Sequence, residues 1–310
     1  QPESLFARIN SLENKEKFAP DLLITIGHSV ICKQLKLFLR ENRPAEQWQL
    51  ESSMPYVDTY KSLSTIIPGL ATESLGKMPF GKTKSNFSLV FENEKFTMEN
   101  LHESFIKNPK RLAKKISDLD VTTELLIQIK SETVLHLANS TSVRWTQLFQ
   151  ARPDITYICN RGTSGIDGST STAVGYAFVS KKTTVLLTGD ISFIYDSNAF
   201  WNNYVSNKLK IIVMNNNGGN IFRFIGDKEL MANSIDFFTT PHNVKIKSLT
   251  EAYGLEYICC TKTYDLSEAI YKLLNSEKAT VLEVFTDSDL NTENYKGYFQ
   301  KIKTIESKQS

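Results

Sequence analysis

Residues 184–190 read Thr184-Val185-Leu186-Leu187-Thr188-Gly189-Asp190, and residues 210–217 read Lys210-Ile211-Ile212-Val213-Met214-Asn215-Asn216-Asn217. Each is a short β-branched apolar run that breaks off into polar residues. This is how a strand covered on both faces looks where it ends at a loop. A helical pattern starting near Ser192 separates the two, so together they form one strand-helix-strand unit. The alternation continues on both sides. Further candidate strands lie at 134–138, 155–158, 255–259 and 280–285, and further helices start near Thr141, Gly168, Ser248 and Leu266. Six strands joined by crossovers of this length predict an α/β fold with a doubly wound, parallel six-stranded sheet. In such sheets ligands bind beyond the carboxyl ends of the strands, so chemistry is expected in the loops that follow them.

Upstream, residues 22–27 (Leu22-Leu23-Ile24-Thr25-Ile26-Gly27) form a second candidate strand context. A strand-to-helix turn is expected at residues 27–29, then helical spacing of Val30, Leu35, Leu37 and Phe38, and a further strand at Trp48-Gln49-Leu50. Residues 93–118 are polar and Lys-rich and read as a helical connector. The expected division is a partial Rossmann-like domain plus connector at 1–118 and the six-stranded domain at 119–310.

A chain of 310 residues suits two domains at roughly 100–200 residues each. Lys+Arg 36 against Asp+Glu 34 gives a net charge of +2, which argues against nucleic acid or membrane as the partner. With 41% hydrophobic and 23% charged residues it reads as globular, not collagenous or largely disordered. Cys32, Cys159, Cys259 and Cys260 have no disulfide-framework density and no CxxC spacing, so a cytoplasmic location is expected. No apolar run is long enough to cross a bilayer. The chain opens on Gln1, not Met, and is expected to be part of a longer protein.

Three loops stand out. Asn160-Arg161-Gly162-Thr163-Ser164-Gly165-Ile166-Asp167-Gly168 carries three glycines, which let backbone approach a ligand closely, and it leads into a helix N-terminus. A tight strand-to-helix turn is the alternative reading of this segment. Thr188-Gly189-Asp190-Ile191-Ser192 and Asn215-Asn216-Asn217-Gly218-Gly219-Asn220 end the next two strands. Three consecutive Asn are poor strand residues and costly to bury unpaired. Asp190 and Asn216 lie 26 residues apart, the length of one strand-helix-strand unit, so they can meet at neighbouring strand tips. A carboxylate, an amide oxygen and a backbone carbonyl make a hard oxygen site of the Mg²⁺ kind. Taken singly, each loop is also compatible with turn chemistry.

The Gly189-Asp190 pair followed by Asn215-Asn216 resembles the thiamine diphosphate motif. On that resemblance the cation, Mg²⁺ or Mn²⁺, is held by Asp190, Asn216 and the carbonyl of Gly218. Three longer segments, residues 160–168 (NRGTSGIDG), 189–196 (GDISFIYD) and 215–222 (NNNGGNIF), together with Asn139-Ser140 and Val143-Arg144, narrow it. They look like the 2-succinyl-5-enolpyruvyl-6-hydroxy-3-cyclohexene-1-carboxylate synthase family of menaquinone biosynthesis, strongly over residues 135–224 and more weakly to about 285. The resemblance implies a thiamine diphosphate-dependent transferase that decarboxylates 2-oxoglutarate and adds the four-carbon unit to isochorismate. It implies Ser164, Gly165, Ile166, Asp167, Gly189, Asp190, Ser192, Asn216, Ile221 and Phe222 around the cofactor. In it Ile166 props the bent thiamine, Ser192 caps the next helix and donates to a phosphate, and Ile221 and Phe222 wall the pocket.

Both substrates are dianions, so the resemblance also points to Arg161 and Lys33 as substrate-carboxylate ligands. Gln34 stands where some family members have Arg, and an apolar residue near Phe178 replaces another. Family members are nearly twice as long. Their N-terminal pyrimidine-binding domain, often from a second subunit of a homodimer or homotetramer, supplies a glutamate to the cofactor. The present chain is therefore expected to be a C-terminal portion, with part of a central, transhydrogenase dIII-like domain, and to be silent in isolation. The competing expectations are a pyruvate-using acetolactate synthase or 2-oxo acid decarboxylase, and a non-catalytic Rossmann-like interaction module. His28, His102, His136 and His242 show no zinc-site spacing and are read as non-catalytic, with Asp196 on a helix surface or behind the site.

Overall fold

The structure, a computed structural model, describes residues 2–27, 30–51, 57–79, 86–106, 115–225 and 234–304. It divides into two compact units, residues 1–104 with 299–310, and residues 105–298. The division falls earlier than the Lys-rich composition suggests. The stretch read as a connector begins inside a long helix that ends at Ile106, and near that end Phe105 packs edge-on against Tyr298, both residues of the second unit, with ring centroids 5.1 Å apart. Residues 107–114, within the expected connector, lie outside the described residues.

The first unit contains α1 (Pro2–Ile9), β1 (Leu22–Ile26), α2 (Lys33–Glu41), β2 (Glu46–Glu51), β3 (Leu63–Pro68), α3 (Ala71–Gly76) and α4 (Asn86–Ile106). Its sheet is parallel, in the order β1-β2-β3. Ile9, Phe18, Phe38, Leu39 and Tyr60 form its core. Strand β3 was not anticipated. It is half-exposed, ends in Pro68, and pairs across an irregularity at Gln47/Trp48, so it lacks the uninterrupted apolar run of a buried strand. Gly27 has a φ of 75° where the turn was expected, while His28 and Ser29 lie outside the described residues.

The second unit runs α5 (Asp118–Gln128), β4 (Val134–Leu137), α6 (Thr141–Thr146), β5 (Thr156–Cys159), α7 (Ser169–Ser180), β6 (Thr184–Gly189), α8 (Asp190–Tyr195), β7 (Leu209–Asn215), α9 (Ile221–Ile225), α10 (Ile235–Thr239), α11 (Ile246–Ala252), β8 (Glu256–Cys260), α12 (Leu266–Asn275) and β9 (Thr280–Phe285), and α13 (Ser288–Thr304) starts in it. The six strands are all parallel, in the order β5-β4-β6-β7-β9-β8. Strands β4 and β7 are buried at every residue, and β6 and β9 at all but the last. This is why their sequences carry apolar runs without alternation. One core layer joins Ala173, Val174 and Ala177 of α7 to Leu186, Ile211, Val213 and Val281 of the sheet and to Phe193, Phe200 and Ile246.

The winding direction reverses at β4. Strand β5 lies on one side of it and β6 on the other. Crossovers leave β4 and β6 in opposite directions there, which opens the crevice that α/β folds use for ligands. The residues that follow these strands are Ala138-Asn139 and Asp190.

Candidate functional site

Strands β6 and β7 are neighbours in register, with Gly189 opposite Met214, so Asp190 and the Asn215–Asn217 stretch emerge side by side. Asp190 opens α8, with Gly189 as the N-cap residue, and is only 1% exposed. Its Oδ1 accepts the N–H of Ile191 at 2.8 Å, and its Oδ2 accepts the N–H of Gly218 at 2.8 Å and faces Nε2 of His242 at 3.3 Å. Burial pushes the Asp190 carboxyl above its ordinary range, and the two amides and His242 pull it back. A carboxylate so enclosed gains most from a cation.

The Asn loop is held from behind. Glu283 on β9 accepts Asn215 Nδ2 at 2.6 Å and the hydroxyl of Tyr257 on β8 at 2.5 Å. Asn215 Oδ1 in turn accepts the N–H of Asn217 at 3.0 Å. Asn217 has a φ of 61° and Gly218 a φ of 139°. A Cβ at Gly218 would run into the carbonyl oxygen of Thr239, so the turn needs glycine there. The Gly218 carbonyl accepts one hydrogen bond, from Asn220 N–H at 3.0 Å, and keeps a second acceptor direction.

Asn216 is 7% exposed, and its Oδ1 has no hydrogen-bond partner although it is buried. Its Nδ2 faces Asp118 Oδ2 at 3.4 Å, and Ser288 Oγ donates to its carbonyl at 2.8 Å. Burial raises the Asp118 carboxyl to about 6. The donor set is thus one buried carboxylate, one orphaned amide oxygen and one half-used carbonyl. All three are hard oxygens, which suits a Mg²⁺-like ion that keeps its other positions for water and phosphate. No cluster of three or more His, Cys, Asp or Glu fit to hold a metal occurs among the described residues.

The Gly-rich loop after β5 is organised by Asn139, at the end of β4. Asn139 Nδ2 donates to the carbonyls of Asn160 and Gly165, both at 2.7 Å, and its Oδ1 accepts Arg161 Nη1 at 2.6 Å. Arg161 Nε is buried and without a partner. Ser164 and Gly168 have φ values of 64° and 77°, and a Cβ at Gly165 would strike the Asp167 carboxylate. Ser192 Oγ donates to the Ile166 carbonyl at 2.5 Å, joining this loop to α8.

Ser192 therefore departs from the expectation of a helix cap. The helix starts two residues earlier, at Asp190, and the hydroxyl is spent on Ile166. Asp196 does not lie on a helix surface, the first of the two positions expected for it. It is 6% exposed, and its carboxylate accepts both the N–H (2.7 Å) and Oγ (2.5 Å) of Ser171 in the first turn of α7. That takes one of the amides that the Gly-rich loop was expected to aim at a ligand. Ile221 and Phe222 open α9, half-buried, and the Phe222 ring lies 5.7 Å from Phe238.

Lys33 is the first residue of α2 in the first unit and is exposed. Gln34 beside it is engaged within that unit, its N–H on Glu3 at 3.2 Å and its Oε1 on Asn10 at 3.0 Å. His242, Asp118, Glu283, Tyr257 and the role of Asn139 were not read from the sequence as parts of the site. Only Asp118 carried a local signal, since Ser117 and Asp120 form a capping box around it.

Comparison with known proteins gives a consistent result. Residues 139–284 match the family described as thiamine pyrophosphate enzyme, C-terminal TPP binding domain. Relatives named 2-succinyl-5-enolpyruvyl-6-hydroxy-3-cyclohexene-1-carboxylate synthase occur in Flavobacterium psychrophilum, Porphyromonas gingivalis and Christiangramia forsetii. The first is 35% identical over 292 residues, covering 92% of this chain and 51% of the relative. The second is 36% identical over 299 residues, covering 93% and 51%. The third is 34% identical over 316 residues, covering 97% and 54%. The chain spans about half the length of the curated relatives it matches.

Proposed function

We propose, from the match of residues 139–284 to the C-terminal TPP binding domain of thiamine pyrophosphate enzymes, that the chain is the cofactor-diphosphate-binding portion of a 2-succinyl-5-enolpyruvyl-6-hydroxy-3-cyclohexene-1-carboxylate synthase. The reaction is the menaquinone-pathway transfer in which 2-oxoglutarate loses CO₂ and the remaining four-carbon unit adds to isochorismate. The observation that carries the reading is the pairing of buried Asp190 with the unpartnered amide oxygen of Asn216 on adjacent strand tips.

Thiamine diphosphate, when bound, supplies the nucleophilic carbon and the electron sink that decarboxylation needs. Asp190, Asn216 Oδ1 and the Gly218 carbonyl would hold Mg²⁺ or Mn²⁺, whose charge would offset that of the diphosphate. The amides on Asp190 fix the carboxylate before the ion arrives, so little ordering is left to do on binding. Ser164, Gly165, Asp167, Gly189 and Ser192 shape the backbone around the cofactor, and Ile166, Ile221 and Phe222 exclude water from it. Ser192 acts through the Ile166 carbonyl, which fixes where that side chain starts.

Arg161 takes a substrate carboxylate. Asn139 anchors one end of its guanidinium and leaves Nε buried and unmatched, a vacancy that a carboxylate fills with a charge-assisted bond. Lys33, exposed in the first turn of α2, is the second carboxylate ligand on the strength of the family resemblance alone. The remaining half of the enzyme supplies the pyrimidine-binding domain and its glutamate, from a second subunit of a cytoplasmic homodimer or homotetramer. The 310-residue chain alone is then catalytically silent.

Titration calorimetry of the chain with thiamine diphosphate and Mg²⁺ tests the reading. Saturable heat that disappears in Asp190→Ala is expected. Equal heats from both proteins, or none from either, would remove its basis.

A further inference from the structure

Asp118 belongs to none of the loops that carry the cofactor motifs, yet it is fully buried directly behind one of them. Its place is over-determined. Its N–H donates to Asn291 Oδ1 at 2.7 Å, and Thr286 Oγ donates to its Oδ1 at 2.6 Å. The remaining oxygen, Oδ2, faces the amide nitrogen of Asn216 at 3.4 Å. The Asn216 backbone is meanwhile held by other groups, its carbonyl by Ser288 Oγ and the preceding carbonyl of Asn215 by the N–H of Thr286 at 2.9 Å. What Asp118 adds is therefore the orientation of a side chain.

An asparagine amide has two ends of similar shape and opposite chemistry, one donating and one accepting. A residue that lends its oxygen to a cation is useless when flipped, because the NH₂ end then meets the ion. An ionised carboxylate accepts only. Facing one, Asn216 turns its NH₂ inward and leaves Oδ1 on the other side, where it is buried and unpartnered. The same geometry accounts for an amide rather than an acid at 216. A carboxylate there would face the carboxylate of Asp118 with no proton donor between them.

We propose that Asp118 is a positioning residue that sets the amide of Asn216 with its oxygen toward the divalent cation. The inference rests on the metal-binding reading given above. It assigns no contact between Asp118 and the ion or the substrate.

The test is a double-mutant cycle on the 310-residue chain at pH 8, read as Mn²⁺ affinity by electron paramagnetic resonance in the presence of thiamine diphosphate, with the thermal midpoint recorded for each variant. Asp118→Asn frees the amide to flip and weakens Mn²⁺ by about 10–100-fold, the range seen when supporting partners of ligands are lost. Asn216→Asp sets two carboxylates face to face and weakens it by about tenfold or more. The two together restore affinity to within about threefold of the parent, because the amide introduced at position 118 now donates to a ligating carboxylate at position 216. Asp118→Glu, which keeps the acceptor, retains more affinity than Asp118→Asn and serves if the exchanged pair does not fold. Losses that simply accumulate in the double variant, or equal losses in the Glu and Asn variants, overturn the inference while leaving the metal site standing. Absence of Mn²⁺ binding in the parent, or undiminished binding in Asp190→Ala, overturns the metal reading and the inference with it.

Discussion

The backbone N–H of Gly218 donates to Asp190 Oδ2 at 2.8 Å, joining the loop after β7 to the first residue of α8. The bond exists only because the chain at 218 adopts a φ of 139° with no side chain in the way of Thr239. Substituting Gly218→Ala is expected to cost about 1–3 kcal/mol, the range for a residue forced into sparsely populated backbone conformation. Gly175→Ala is the contrasting control. That glycine is exposed inside α7 with nothing near its Cβ direction, and alanine there should stabilise by about 0.4–1 kcal/mol. Urea unfolding of both variants checks the pair, and a neutral Gly218→Ala would contradict the geometry.

Half-buried Tyr257 and buried Glu283 and Asn215 form a polar chain across three strands, ending on the N–H of Asn217. Tyr257→Phe deletes one hydrogen bond to a charged acceptor and leaves that oxygen of Glu283 unmatched. The expected loss is about 1.5–3 kcal/mol. Glu283→Leu removes the acceptor for both partners and should cost more. Denaturant midpoints at constant m-value decide.

His136 is buried in β4 with Tyr176 edge-on at 5.2 Å, and burial lowers its imidazole to about 4. Between that value and the ordinary 6.5 the folded chain binds fewer protons at this site than the unfolded chain. Stability from this group is therefore present above pH 6.5 and is lost as pH falls through the window, by on the order of 3 kcal/mol at most. His136→Phe should flatten that part of the pH–stability curve. Thermal midpoints from pH 4 to 7 measure it, and a parallel pair of curves would refute the assignment.

Arg161 is held by a single fork contact to Asn139. On the proposed function, a complex competent for turnover should lose about 10–100-fold in kcat/KM for 2-oxoglutarate with Arg161→Lys, equivalent to losing one charge-assisted hydrogen bond of about 1.5–3 kcal/mol. Asn139→Ala should reproduce part of that loss and add instability, since it also releases the Asn160 and Gly165 carbonyls. Steady-state kinetics with 2-oxoglutarate varied provides the check.

The six-stranded sheet was legible because its four inner strands are covered on both faces and end in abrupt polar breaks, as at Leu187-Thr188-Gly189-Asp190. Strand β3 was not, because a half-exposed strand ending in Pro68 has neither the apolar run nor clean alternation. Within the site, the residues that announce themselves are those with unusual local composition, the Gly-rich loop and the Asn run. Their supporters look ordinary in sequence. Glu283 sits in an apolar strand, His242 follows a proline, and Asp118 is one acid among several at a helix start. Each becomes meaningful only through a partner at least 26 residues away, a separation that no local pattern encodes.

The bond from Asp118 N–H to Asn291 Oδ1 joins residues 173 positions apart. Closing so long a loop is entropically expensive and contributes nothing until the strands between are already paired. The support behind the cation loop therefore exists only where the strands between these residues are in place. A ligand captured there acts as a completion signal: it selects chains whose sheet is finished and adds its binding energy to those alone.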